Sequence, residues 1–134
     1  MLIVGGRGAG KRVVAEQLGF APGDIVCDVQ DLVRADAGPE SLVAMADELA
    51  GHACVICDEV GCGVVPIDPA DRAWREAVGR LCCLLAERAD VVVRVCCGIP
   101  QAIKGELPAR AGAPVDPAAH AGARPDASGD GDIR

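Results

Sequence analysis

Aromatic side chains are nearly absent from this 134-residue chain, which has Phe20, Trp74 and no tyrosine. Proteins that bind single-stranded nucleic acids stack the bases on aromatic side chains, so we expect no nucleic-acid partner. Basic residues are also scarce: 13 against 20 acidic ones, for a formal net charge of -7 at pH 7. Such a chain repels phosphate backbones and anionic membranes over long range. Any phosphate that it binds must therefore be captured by a local arrangement of donors.

Long apolar runs are missing as well, and no stretch approaches the roughly 20 residues of a membrane span. The first apolar segment, Leu2 to Val4, is too short for a secretory signal. We therefore expect no membrane partner, a cytoplasmic location and reduced thiols at the eight cysteines. Cys54 and Cys57 have CxxC spacing, but a structural zinc site needs four ligands, and no second such pair is present. Zinc is not expected.

The composition changes sharply at Gly105. Residues 106–134 are rich in Ala, Gly, Pro and Asp and have almost no periodic apolar pattern. Such a segment buries too little apolar surface to offset its ordering entropy. We predict one domain over residues 1–105 and a disordered tail over residues 106–134.

Apolar strand-like segments alternate with helix-like segments in the first 105 residues. The predicted strands are 2–4, 25–27, 53–57 and 91–96, and the predicted helices are 11–18, 39–50 and 69–88. Continuous apolar strands between helices are typical of an α/β fold with helices on both faces of the sheet. We predict a mostly parallel sheet of about four strands, with ligands bound beyond the carboxyl ends of the strands.

A glycine-rich loop connects the first predicted strand to the first predicted helix. The pattern GxxxxGK is matched by Gly5, Gly6, Arg7, Gly8, Ala9, Gly10 and Lys11. Glycines let backbone amides turn inward toward phosphate oxygens, and a lysine in this place reaches the β- and γ-phosphates. The alternative is a glycine-rich turn with an ordinary surface lysine. We predict a P-loop NTPase-like fold that binds ATP or GTP at this loop.

The residue after Lys11 departs from the P-loop pattern. P-loop proteins carry Ser or Thr there, because the hydroxyl ligates Mg²⁺, whereas this chain has Arg12. We expect weakened Mg²⁺ binding unless an acid holds the metal. The candidates for a catalytic and metal-binding acid are Asp28, after the second predicted strand, and Glu59 in the pair Asp58-Glu59, after the third. The alternative for each is a helix cap or a solvated turn.

Four segments carry a family resemblance. Residues 58–66, DEVGCGVVP, resemble the stretch NEVGxGIVP, and residues 72–80, RAWREAVGR, resemble the helix RxFRDxxGR. Residues 97–100, CGIP, resemble the turn SGIP, and residues 2–11 are similar to the opening ILVTGGARSGK. Together they resemble the bifunctional adenosylcobinamide kinase/adenosylcobinamide-phosphate guanylyltransferase family of cobalamin biosynthesis.

The resemblance implies a homo-oligomeric transferase that phosphorylates the hydroxyl of adenosylcobinamide, or of a similar small molecule, with ATP or GTP. It also implies a second reaction, in which GMP passes through a histidine. Lys11, Asp28 and Glu59 become the catalytic residues. Asp28 matches the strand-end acid of the family, and Glu59 matches the Glu of NEVG.

The chain departs from the family at several places. The family carries several tens of residues, including the guanylylated histidine, where this chain has only residues 19–23. His52 and His120 do not match that nucleophile, and Asp58 replaces the Asn of NEVG. We therefore predict a shortened member that does not perform guanylyl transfer by the family's covalent route. The alternatives are a non-catalytic nucleotide- or corrinoid-binding relative and a small P-loop kinase for another substrate.

Overall fold

The computed structural model describes residues 1–108. Most of the tail predicted for residues 106–134 therefore lies outside the described residues. Within the described part, the helices and strands are β1 (Leu2–Gly5), α1 (Lys11–Gln17), β2 (Ile25–Val26), α2 (Pro39–Ala50), β3 (Cys54–Asp58), α3 (Pro69–Arg88), β4 (Val92–Cys96) and β5 (Ile99–Lys104). Short 3-10 turns at Pro22–Asp24 and Val29–Leu32 flank β2. The predicted alternation of strands and helices is confirmed.

The strands form one sheet in the order β2-β3-β1-β4-β5. All neighbouring pairs are parallel except β4 and β5, which are antiparallel. The predicted α/β class and mostly parallel sheet are confirmed, but the sheet has five strands rather than about four. Cys97 and Gly98, with φ of 51° and 75°, form the tight reversal into β5. Two successive positive φ values are typical of a two-residue hairpin turn.

Helices cover both faces of the sheet, as predicted. On one face α1 packs against β1, β3 and β4 through Val14, Ala15 and Leu18. On the other face α2 and α3 pack together over a cluster that includes Leu2, Val55 and Val92. Neighbouring strand residues point to opposite faces, so each of the central strands contributes to both clusters. Leu107, just beyond β5, packs against the α1 cluster.

The longest helix, α3, has a well-defined start. The Asp68 carboxylate accepts a hydrogen bond of 2.7 Å from the backbone amide of Ala70, and Pro69 occupies the first helical position, where proline is tolerated. Its buried residues Val78, Leu81 and Leu85 recur at intervals of three and four, which is the spacing of one helix face. Within residues 1–108, neither α3 nor any other helix is long and apolar enough to cross a membrane.

Candidate phosphate-binding site

The candidate site lies where the carboxyl ends of β1 and β3 meet. The two strands are neighbours, and Gly5 at the end of β1 is paired with Asp58 at the end of β3. The chain leaves β1 toward α1 on one face and leaves β3 toward α3 on the other. A crevice opens at such a point, and parallel sheets bind ligands there.

The loop between β1 and α1 adopts a backbone that requires glycine. Gly8 and Gly10 have φ of 74° and 89°, in the left-handed region that other residues rarely adopt. Gly5 has no room for a side chain, because a Cβ atom there would lie 2.4 Å from the carbonyl oxygen of Val95. The amide of Gly98 donates a hydrogen bond of 2.9 Å to the carbonyl of Ala9. The loop is thus anchored to β4 and to the β4–β5 turn.

Lys11 is buried at the first position of α1, with 7% of its surface exposed. Its Nζ donates hydrogen bonds of 3.0 Å and 2.8 Å to the carbonyls of Gly5 and Gly6. The same atom lies 2.5 Å from Oδ1 of Asp58, which is itself 8% exposed. The Nε of Arg7 lies 3.3 Å from the other carboxylate oxygen. The loop lysine is therefore paired with a carboxylate, and a phosphate can take the place of that carboxylate beside Lys11.

Gln30 connects the ends of β2 and β3. Its side chain is buried, and its Oε1 accepts a hydrogen bond of 3.0 Å from the amide of Asp58. Its Nε2 donates to Oδ1 of Asp28 at 3.4 Å, and its backbone carbonyl accepts a hydrogen bond of 3.1 Å from Nε1 of Trp74. Gln30 was not among the residues predicted for the site. Its only signal in the sequence is a polar residue two positions after the strand-end acid Asp28.

The loop and two strand-end acids line one open cavity of about 560 Å³. The residues that line it include Arg7, Gly8, Ala9, Gly10, Lys11, Arg12, Asp28 and Asp58. The structure thus places the loop, Lys11 and Asp28 around one cavity. Backbone amides, a lysine and an arginine in one cavity are the donors that bind a phosphate chain.

Glu59 does not line this cavity. Its Oε2 accepts a hydrogen bond of 3.1 Å from Nε of Arg94 on β4. Its backbone amide donates to the carbonyl of Gly5 at 3.0 Å, which ties β3 to β1. Of the adjacent pair, Asp58 is the acid whose carboxylate lies beside Lys11.

Arg12 lies at the rim of the cavity with an exposed guanidinium. Its NH2 nitrogen lies 3.9 Å from Oδ2 of Asp28. A hydrogen bond to Cys27, and secondarily the charge of Asp28, raise the pKa of Arg12, so the guanidinium stays charged. The position that usually supplies a hydroxyl to Mg²⁺ here supplies a cation next to the exposed acid.

The donor set can be tested for its fit to Mg²⁺. Within residues 1–108, no three His, Cys, Asp or Glu side chains are grouped to hold a metal ion. Mg²⁺ is usually bound by one or two carboxylates together with substrate phosphates, so a complete protein cage is not needed. Asp28 and Asp31 are the exposed carboxylates of the cavity, and Asp28 lies just beyond the end of β2, whereas Asp58 is held by Lys11 and Arg7. The residues fit a phosphate-bound Mg²⁺ at Asp28, with Arg12 as its competitor.

His52 and the CxxC pair Cys54 and Cys57 do not line this cavity. His52 precedes β3 and lines a small pocket with Met1 and Leu49, at the amino ends of the strands. The cysteines are all free thiols. Cys54 and Cys57 belong to the clusters on opposite faces of the sheet, so they cannot ligate one metal ion.

Comparison with known proteins gives two findings. Residues 25–103 match the family described as cobinamide kinase / cobinamide phosphate guanyltransferase. The bifunctional adenosylcobalamin biosynthesis protein CobP of Pseudomonas aeruginosa is 34% identical over 82 residues, which are 61% of this chain and 46% of that relative. The chain thus matches about half the length of this relative. The loop at residues 5–12 precedes the segment matched by the family.

Proposed function

This chain belongs to the cobinamide kinase / cobinamide phosphate guanyltransferase family, and from that premise we propose that it is a nucleotide-dependent kinase. The phosphate donor is ATP or GTP, bound by the loop from Gly5 to Arg12. The acceptor is the hydroxyl of adenosylcobinamide or of a similar corrinoid alcohol. The cytoplasmic location and homo-oligomeric assembly implied by the family resemblance belong to the same proposal, and light scattering measures the assembly.

One observation carries the proposal: a buried loop lysine meets a buried acid at the carboxyl ends of two adjacent parallel strands. Lys11 has three acceptors within 3.0 Å, namely two loop carbonyls and Asp58. Burying a charge is costly unless it is paired, and the partners of Lys11 all belong to the loop and to the end of β3, where the phosphates of a bound nucleotide would lie. Phosphate oxygens replace these acceptors when nucleotide binds, and the loop amides hold the remaining oxygens.

Catalysis then consists mainly of positioning and charge neutralisation. Lys11 neutralises the terminal phosphates, and Arg12 contacts them from the rim of the cavity. When bound, Mg²⁺ would be held by Asp28 together with the nucleotide phosphates and would neutralise part of their charge. In this chain Asp28 is the acid that we propose for the metal. Glu59, the other candidate, is paired with Arg94.

We do not propose guanylyl transfer by the covalent route. That route requires an imidazole placed to attack the α-phosphate, and only residues 18–24 connect α1 to β2. His52, the histidine within the described residues, lies at the opposite end of the sheet from the loop.

Arg12 supports a second candidate, a nucleotide-binding relative without turnover. Its guanidinium lies beside Asp28, where it opposes a cation electrostatically. In that case the protein binds nucleotide but forms no phosphorylated product, so an assay of product formation distinguishes the two candidates.

The test measures binding and turnover in a matched pair of variants. Lys11 and Lys104 are the two lysines of the chain, and Lys104 only contacts the carbonyls at the end of α3. We expect nucleotide to raise the melting temperature of the wild type and of Lys104→Met, but not that of Lys11→Met. Nucleotide at 100 times its Kd adds about 2.7 kcal/mol to the free energy of unfolding. Incubation with adenosylcobinamide and ATP or GTP should yield the phosphorylated product by mass. No nucleotide-induced shift in the wild type would reject the proposal, and a shift without product would favour the second candidate.

A further inference from the structure

A second cavity, of about 260 Å³, adjoins the phosphate cavity on the α3 side of β3. Its wall is mostly apolar and is formed by the segment after β3 and the facing side of α3, including Val60, Gly61, Cys62, Val78 and Cys82. None of these residues has a role in holding nucleotide. The function proposed above therefore leaves this cavity without an occupant.

Asp58 is the one described residue that lines both cavities. On one side its carboxylate lies beside Lys11 and the glycine loop. On the other side the residue forms the end of a mainly apolar wall, which also includes Glu59 and Arg75. A group held in the second cavity would therefore reach the first at the point where Lys11 holds a terminal phosphate.

The segment that follows the cavity exposes an unusual set of apolar side chains. Val64, Val65 and Ile67 are 88%, 70% and 95% exposed. Their backbone is fixed from α3: Arg75 donates to the carbonyl of Val64 at 2.8 Å, and Arg72 donates to that of Ile67 at 2.6 Å. The segment is thus held beside Arg75, which also lines the cavity, with its apolar side chains exposed. Contiguous exposed apolar surface commonly marks a binding site.

We propose that this second cavity is the subsite for the acceptor substrate. The side arm that carries the hydroxyl enters between Val60 and Val78, and the larger apolar body of the molecule rests on Val64, Val65 and Ile67. This inference rests on the proposed kinase function, and it assigns the acceptor to an alcohol on a bulky, mainly apolar framework. We assign the acceptor to this cavity because the cavity adjoins the phosphate cavity at Asp58, the residue that lines both.

Asp58 positions the hydroxyl by accepting its hydrogen bond once nucleotide has drawn Lys11 onto the phosphates. In the transfer, the hydroxyl oxygen forms a bond to the γ-phosphorus while the bond from that phosphorus to the β,γ-bridging oxygen breaks. The bonding electron pair leaves with the nucleoside diphosphate, and the hydroxyl proton passes to the carboxylate of Asp58. Atoms and charge balance without another reactant.

Gly61→Leu tests the cavity with little risk to the fold. A Cβ atom at Gly61 would meet no atom within 4 Å, and its φ is not in the left-handed region. Gly61 lines the cavity, so a leucine side chain there adds bulk to its wall. Gly23→Leu is the matched control, since Gly23 is equally open, has no positive φ and lines neither cavity.

The assay is equilibrium dialysis against cobinamide, followed by corrin absorbance, with a non-hydrolysable ATP analogue present. We expect Gly61→Leu to weaken cobinamide binding about tenfold or more, which is about 1.4 kcal/mol. Gly23→Leu should bind like the wild type. The nucleotide-induced melting shift should be the same in all three proteins. Val65→Ser, at an exposed position that does not threaten folding, should also weaken cobinamide binding.

The outcomes separate this inference from the proposed function. Normal cobinamide affinity in both Gly61→Leu and Val65→Ser would overturn the subsite and leave the kinase proposal standing. Nucleotide binding without any cobinamide binding in the wild type would reject the acceptor class, and the subsite with it. If Val65→Ser instead lowered the mass measured by light scattering and left cobinamide binding intact, the apolar segment would be an interface between copies, and the inference would be wrong.

Discussion

Replacing Asp58 by asparagine tests the ion pair at the centre of the site. The substitution keeps the shape of the side chain and removes one negative charge. In the wild type that charge lies 2.5 Å from Nζ of Lys11 and 3.3 Å from Nε of Arg7. Asparagine can still accept one hydrogen bond from Lys11, which also keeps its contacts with the carbonyls of Gly5 and Gly6.

The expected loss of stability in Asp58→Asn depends on how deeply the ion pair is buried. Lys11 and Asp58 are both buried, and breaking a buried ion pair by removing one partner costs about 3–5 kcal/mol. The amide oxygen and the two carbonyls compensate in part, so we expect a loss of about 1.5–3 kcal/mol, the range for a hydrogen bond to a charged group. The Arg7 side chain is 83% exposed, and its contact with Asp58 contributes little to this loss because solvent screens the interaction. The melting temperature should fall by roughly 6–12 °C.

Nucleotide affinity should move in the opposite direction. In the wild type, phosphate must compete with the Asp58 carboxylate for Lys11, and it also meets the repulsion of that negative charge. Without the charge, ATP in the presence of EDTA should bind up to about tenfold more tightly, or about 1.4 kcal/mol. Isothermal titration calorimetry measures this affinity, and differential scanning calorimetry measures the stability.

Glu59→Gln is the matched control. It also removes one carboxylate, but from an ion pair with the half-exposed Arg94 outside the phosphate cavity. Its expected cost is below about 1 kcal/mol, with no change in metal-free ATP affinity. If Asp58→Asn matched the wild type in both stability and affinity, the Lys11–Asp58 pair would have no energetic role and the reasoning would fail.

Other predictions follow from single contacts. Arg12→Ser should increase the Mg²⁺ dependence of ATP binding, since it removes the cation beside Asp28; a wild type that already requires Mg²⁺ would contradict this. Gly5→Ala should destabilise the fold by more than about 2 kcal/mol, because its Cβ would meet a strand carbonyl at 2.4 Å; wild-type melting would refute it. After incubation with α-labelled GTP and denaturing electrophoresis without acid, the protein should carry no covalent label; a label that disappears in His52→Ala would overturn the placement of that histidine. Burial raises the pKa of Cys54 to about 11, so brief alkylation at pH 8 and mass spectrometry should find it unmodified, unlike the exposed Cys62 and Cys83.

The central part of the fold was predictable because its signals are local. The apolar segments of β1 and β3 are continuous, the glycines of the loop have a fixed spacing, and α3 has a helical period over its whole length. These features define a parallel sheet and place the loop at its carboxyl edge. β5 was not predicted because its residues alternate between exposed and half-buried and include Pro100. An edge strand with only one neighbour tolerates proline and needs no continuous apolar run.

The site was harder to predict than the loop. Asp58 and Glu59 are adjacent in the sequence, and their carboxylates have different partners, Lys11 and Arg94. Which acid meets the lysine depends on the register of β3 against β1 and on the face where the strand ends. Gln30 has no motif at all: its role arises because the short turn after β2 brings it beside Asp58.

The hydrogen bond between Trp74 and Gln30 has an optical consequence. Trp74 is the only tryptophan, the chain has no tyrosine, and its indole donates to the same residue whose side chain holds the amide of Asp58. Emission excited at the red edge of the absorption band therefore comes from one fluorophore located next to the candidate site. Nucleotide that displaces Asp58 from Lys11 should change the emission maximum or lifetime of this indole, so binding can be followed in the unmodified protein on a stopped-flow time scale.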